Sequence, residues 1–243
     1  MNKVQVVLGI AGVLIAVILA GSFSYYYLIL PVVGAALFLF GMSFRITSQF
    51  FLRSVLTTTE NNVLLSFDDG PDPVNTPLVL DILKKHGVKA MFFLIGKKIA
   101  GNEAILQRIH QEGHLLGSHS FSHDPKIGFW SWEKVTTDID NGHKELLKVI
   151  PDAGNRYRPP FGVTNPTIAS AITHCGLQSI AWSVRSFDTA KKDPAWLLDR
   201  LKQKINGSDI VLMHDTQAHT VSILEPLILE LKSRNLTLKA ELN

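Results

Sequence analysis

Two successive acids, Asp68 and Asp69, and a histidine pair four apart, His119 and His123, are the densest chemical signal in this chain of 243 residues. One helical turn from His119 to His123 points both imidazoles the same way, as a shared metal ion requires. Asp69 adds an oxygen ligand. Two histidines and one carboxylate leave positions open for water and substrate, a set that suits Zn, Co, Fe or Ni. Adjacent side chains diverge, so Asp68 does not readily share the ligand role, and a free carboxylate beside a metal is placed to act as a base on water. Taken alone, the histidine spacing also fits two unrelated histidines, and Ser66 to Pro71 also fits a polar turn after a strand.

These residues have to be positioned by something, and the chain supplies alternating apolar runs and helical patterns. Seven runs read as strands: Val63 to Phe67, Lys89 to Ile95, His114 to Ser118, Arg156 to Arg158, Leu177 to Ser183, Asp209 to His214 and Leu236 to Ala240. Between them, Thr76-Pro77 with Gly87, Asn102 with Gly113, Asn165-Pro166 with Gly176, and Asp193-Pro194 with Gly207 punctuate helices. Strand and helix alternating in this way imply a parallel sheet, open or closed into a barrel. Asp68 and Asp69 follow the first strand, His119 and His123 the third, and Arg158 closes the fourth. Arg185 and Asp188 follow the fifth, and His214 ends the sixth. The C-terminal strand ends of such sheets form one face, so these residues are expected to converge there.

Four segments, Ser66-Phe67-Asp68-Asp69-Gly70-Pro71, His119-Ser120-Phe121-Ser122-His123, Arg158-Pro159-Pro160-Phe161-Gly162 and Leu212-Met213-His214, resemble the motifs of the polysaccharide deacetylases, carbohydrate esterase family 4. They occur in the family's order, and the resemblance covers about residues 60–243. It implies a distorted (β/α) barrel of about seven parallel strands. It also implies that Asp69, His119 and His123 hold a divalent metal, usually zinc, and that Asp68 is the base. Arg158 would then pair with Asp68, the backbone N–H of Phe161 would stabilise the oxyanion, and His214 would protonate the departing amine. One motif departs from the pattern. Many members have Asp, then Ser or Thr, any residue, Asp and Trp, whereas this chain reads Arg185-Ser186-Phe187-Asp188-Thr189. Arg stands where the partner of the acid histidine is usual, so either the retained Asp188 takes over as the carboxylate for His214 or the acid is tuned differently.

The implied activity is removal of N-acetyl groups from amino sugars of a glycan such as peptidoglycan or a chitin-like chain. The alternatives are deacetylation or deformylation of a lipid-linked amino sugar, and a non-catalytic carbohydrate-binding protein. A formal charge of +3, with Lys and Arg scattered, leaves no footprint for nucleic-acid binding. The single Cys175 excludes an intramolecular disulfide.

From Val4 to Phe44 there is no charged residue, a run about twice the roughly 20 residues that one membrane crossing needs. Residues 1–44 therefore read as a transmembrane anchor of two helices broken at Gly21-Ser22-Phe23-Ser24, with a signal peptide plus one helix, or a single long anchor, as the rival readings. Residues 45–62 read as a linker and 63–243 as the catalytic domain. The protein is thus expected in the cell membrane as a two-pass protein. The few flanking charges, Lys3, Arg45 and Arg53, do not fix the side on which the domain lies.

Overall fold

The computed structural model describes residues 3–21 and 25–242. Seven strands, β1 (Leu64–Gly70), β2 (Met91–Leu94), β3 (Leu115–Ser118), β4 (Arg156–Tyr157), β5 (Gln178–Ser179), β6 (Val184–Arg185) and β7 (Ile210–His214), form one sheet in the order β5-β4-β3-β2-β1-β7-β6. Every pairing is parallel. The sheet curls into an open half-barrel whose edges, β5 and β6, are consecutive in the chain.

Alternation along the strands explains the layering. Leu64, Met91, Phe93, Ile210 and Leu212 pack together on the concave side with Ile46, Ile180 and Trp182. Leu65, Phe67, Phe92, Leu94, Val211 and Met213 point the opposite way, into the helices. Both faces are buried, so the strands read as continuous apolar runs rather than alternating ones. The helical layer comprises α3 (Asn75–Lys85), α4 (Glu103–Gln111), α5 (Trp132–Val149), α6 (Pro166–His174), α7 (Pro194–Lys204) and α8 (Ala218–Ser233). Two of the punctuating residues act as caps: Asn165 accepts from the Ile168 N–H, and Asp193 from those of Ala195 and Trp196.

Two strand expectations change. The run Leu177 to Ser183 joins the sheet only at Gln178–Ser179, with an isolated bridge from Ile180 to Val55, and Val184–Arg185 forms a separate strand on the other edge. Between them the chain crosses the open side of the barrel, where the carbonyls of Ile180 and Ala181 accept from Arg158 instead of joining a ladder. Leu236 to Ala240 is not a sheet strand. It makes an isolated bridge, Thr237 to Asn62, beneath the N-terminal end of β1.

The N-terminal region holds α1 (Lys3–Ala20) and α2 (Ile29–Ser43), two apolar helices that pack against each other. Among the described residues, α1 alone is long and apolar enough to cross a membrane by length and composition. At 15 residues α2 is short of the usual span. Of the expected break, Ser22 to Ser24 lie outside the described residues. Residues 45–62, expected as a linker, run along the domain: Ile46 is buried, Val55 bridges Ile180, and Thr57 bridges Asp209.

Candidate metal centre and active site

Strand β1 runs three residues past the predicted end, so Asp68 and Asp69 lie within it, and Asp68 is the register partner of His214 on β7. Between Phe67 and Gly70 the pairing with β2 shifts register, and Asp69 adopts φ 72°. This bulge overrides the divergence expected of neighbouring side chains, and both carboxylates line one cavity of about 150 Å³ with His119, His123, Phe161, Trp182, Arg185 and His214.

The histidine pair converges by a different route from the one expected. Residues 119–124 form a loop with no helical turn, in which Ser120 and His123 have φ of 65° and 51°. The loop is held from α5, where buried Asp138 accepts hydrogen bonds from the N–H groups of Phe121 and Ser122 at 3.2 and 3.1 Å. Gly142, one turn further along α5, lies so close that a Cβ there would meet the Ser120 carbonyl carbon at 2.4 Å. Five non-glycine residues with positive φ, Asp69, Ser120, His123, Phe161 and Phe187, fall on the loops around this one cavity or its rim. Strain of this kind persists where the surrounding structure over-determines it.

One donor atom each from Asp69, His119 and His123 lies within 4.8 Å of the other two. Asp69 Oδ1 is 3.5 Å from His119 Nε2 and 3.2 Å from His123 Nε2, and it is buried without a hydrogen-bond donor among the described residues. His119 Nδ1 donates to the Arg158 carbonyl at 2.7 Å, which turns the lone pair of Nε2 toward Asp69. Burial lowers the pKa of His119 to about 3 and also lowers that of His123, so both rings are neutral at physiological pH, the form that can ligate a metal. The donor set therefore fits a divalent cation.

Asp68 borders this cluster, with Oδ2 3.8 Å from His119 Nε2, but its other oxygen has a partner of its own. Arg158, fully buried, donates to Asp68 Oδ1 at 2.7 Å and to Ser66 Oγ at 2.9 Å, and its guanidinium carbon lies 4.0 Å from the centre of the Phe93 ring. Burial raises the pKa of Asp68, and the cation of Arg158 opposes only part of that rise. His214 Nδ1 meets Asp188 Oδ1 at 2.7 Å. The other oxygen of Asp188 accepts from the His214 N–H at 2.7 Å and from Thr220 Oγ1 at 2.8 Å. Burial opposes charge on His214, but Asp188, then Asp68 and Asp69, outweigh it and raise its pKa. Asp188 is buried too, yet its hydrogen bonds from His214, Thr220 and Ser186 hold its pKa below the ordinary value. Arg185 makes no ion pair with either acid and lines the cavity mouth.

The structure thus brings Asp68, Asp69, His119, His123, Phe161 and His214 to one cavity, with Arg158 and Asp188 behind them. Sequence reasoning did not single out Asp138 and Gly142, because their roles depend on packing between α5 and a distant loop. It also missed Asp215, buried behind Asp69, whose Oδ2 accepts from Thr76 Oγ1 at 2.6 Å. Burial pushes its pKa up to about 7.

A family model for polysaccharide deacetylases matches residues 56–180. The peptidoglycan-N-acetylglucosamine deacetylase PgdA of Listeria monocytogenes is 35% identical over 72% of this chain, which spans only 37% of that relative's length. The peptidoglycan-N-acetylmuramic acid deacetylase PdaA of Bacillus subtilis is 30% identical, covering 75% of this chain and 71% of the relative. Among solved structures, a pseudoenzyme of family CE4 from Bacillus anthracis superposes with a TM-score of 0.71 at 25% identity, covering 77% of this chain and 66% of that one. Sequence motifs, curled sheet and cavity agree with these matches: the chain belongs to the polysaccharide deacetylase family.

Proposed function

We propose that this chain is a metal-dependent hydrolase that removes N-acetyl groups from the amino sugars of a glycan such as peptidoglycan or a chitin-like chain. One observation carries the reading. Asp69 Oδ1 is buried without a donor between two neutral imidazoles, beside a carboxylate paired with Arg158 and a histidine paired with Asp188. The family includes a protein described as a pseudoenzyme, so the reading rests on these residues rather than on membership.

Asp69, His119 and His123 hold the cation, most readily Zn2+, with Co2+, Ni2+ or Fe2+ also suited to the donors. When bound, the ion supplies Lewis-acid polarisation of the acyl carbonyl and eases deprotonation of water. Asp68 takes the proton from the attacking water, and Arg158 holds Asp68 in place. The backbone N–H of Phe161 donates to the oxygen as it gains charge. His214, kept protonated by Asp188, gives a proton to the amine nitrogen as the C–N bond breaks, which leaves acetate and a free amino sugar.

The two N-terminal helices form a membrane hairpin in this reading, supported by their mutual packing and their apolar surface. A second reading, a lipid-linked amino sugar as substrate, is favoured by how α2 meets the domain. The Thr164 N–H donates to the Ser43 carbonyl at 2.7 Å, and Phe40 and Phe44 share a cavity of about 190 Å³ with Pro125, Phe129 and Val163 on the loops that follow His123 and Phe161. The test is acetate release from N-acetylglucosamine oligomers by the full chain, with and without a chelator. Chelator-sensitive release is expected, and metal-loaded protein that yields no acetate would count against the reading.

A further inference from the structure

The cavity that holds the candidate ligands is small. Its volume of about 150 Å³ is below the roughly 300–1,000 Å³ of pockets that enclose a whole drug-sized ligand, so it suits an acylamino group and attacking water rather than an enclosed sugar unit. The ring and its substituents must therefore lie at the mouth.

The β6 side of that mouth is cationic. Arg185, at the end of β6, is exposed and lines the cavity beside Thr189. Among the described residues its guanidinium has no hydrogen bond and no carboxylate within ion-pair distance. Asp68 is taken by Arg158, and Asp188 by His214 and Thr220. The Arg185 guanidinium carbon lies 5.1 Å from the centre of the Phe187 ring, and that of Arg200 lies 4.7 Å from the same centre. Arg200 Nε is buried and has no hydrogen-bond partner among the described residues. Two guanidinium groups thus rest on one ring, and Thr189 lines the same cavity as Arg185. A guanidinium presents a planar fork of donors that matches the paired oxygens of a phosphate or carboxylate.

We propose that Arg185 forms a subsite for an oxyanion, phosphate or carboxylate, carried on the sugar near the acylamino group, so that the enzyme selects anionic N-acyl amino sugars over neutral ones. The proposal rests on the deacetylase reading and names its substrate class.

The test compares acetate release by the metal-loaded full chain from N-acetylglucosamine, N-acetylglucosamine 1-phosphate and N-acetylmuramic acid, in the wild type, Arg185→Ala and Arg185→Lys. The wild type should prefer an anionic sugar by about tenfold to a hundredfold in kcat/KM, the range of a charge-assisted hydrogen bond, and the preference should lie mainly in KM. Whichever anionic sugar is preferred identifies the source of the oxyanion. Arg185→Ala should bring the ratio of anionic to neutral sugar close to one, and Arg185→Lys should retain part of it. A wild-type ratio near one for both anionic sugars, or a ratio unchanged in Arg185→Ala, would overturn the subsite. Absence of acetate from all three sugars and from N-acetylglucosamine oligomers would overturn the deacetylase reading instead. Calorimetric binding of the same sugars then judges the subsite, where an anionic preference lost in Arg185→Ala supports it and no preference overturns it.

Discussion

The two halves of the cavity are built on opposite terms. On the acid side, Asp188 receives hydrogen bonds from the His214 ring, the His214 N–H and Thr220, so that half is complete within the protein. On the ligand side, Asp69 Oδ1 is buried with no donor, and Asp69 and His123 sit at positive φ on a bulge and a loop pinned from α5. A pre-satisfied half can orient a proton donor unaided. A half with an orphaned carboxylate oxygen between two neutral histidines is suited to a cation.

The largest effect expected from that contrast comes from removing ligands. The double variant His119→Ala, His123→Ala should reduce activity to background and lose the metal by elemental analysis, since changes merely behind metal ligands already cost about 10- to 100-fold. Its His214 should still titrate with a raised pKa by NMR, because its Asp188 partner is untouched. Collapse of both halves together would break the comparison.

Next comes Asp68→Asn, which removes the base while leaving both ligand and acid sides in place. Activity should fall by about 10²- to 10⁴-fold with metal content unchanged. Metal loss in this variant would place Asp68 among the ligands.

Gly142→Ala sharpens the contrast from outside the cavity. The new methyl group, which would meet Ser120 at 2.4 Å, should displace the loop that carries His119 and His123 and lower stability by about 1–3 kcal/mol, read as a drop in Tm. Metal affinity should weaken, while the pKa of His214 stays put.

The smallest effect is expected on the acid side. Asp188→Asn removes the negative charge that favours protonated His214, so the histidine's pKa falls. The alkaline limb of the pH–rate profile should then move to lower pH by about one unit, roughly 1.4 kcal/mol, with metal content unchanged. An unshifted limb in a folded variant would remove Asp188 from the chemistry.

Much of this site was legible in the sequence because the residues that line it are chemical outliers after apolar runs, and strand ends gather such residues on one face. Asp68, Asp69, His119 and His214 could be grouped without knowing a single distance. What stayed hidden was the backbone that aims them. The spacing of His119 and His123 suggested a helical turn, but Asp138 and Gly142 impose a left-handed loop, and neither signals that role locally. The run Leu177 to Ser183 looked like one strand because apolar sequence does not reveal that Arg158 claims the Ile180 and Ala181 carbonyls. The apolar run Leu236 to Ala240 carried a strand pattern, yet β5 and β6 already end the sheet.

The proposed function makes activity depend on one cation held by Asp69, His119 and His123. It is tested most directly by titrating the chelated full chain with Co2+ while following visible absorbance and acetate release from N-acetylglucosamine oligomers in the same samples. Both signals should start near zero and saturate together at about one equivalent per chain, and neither should rise in the double histidine variant. Full acetate release before cobalt is added, or the same titration in the double variant, would contradict the account.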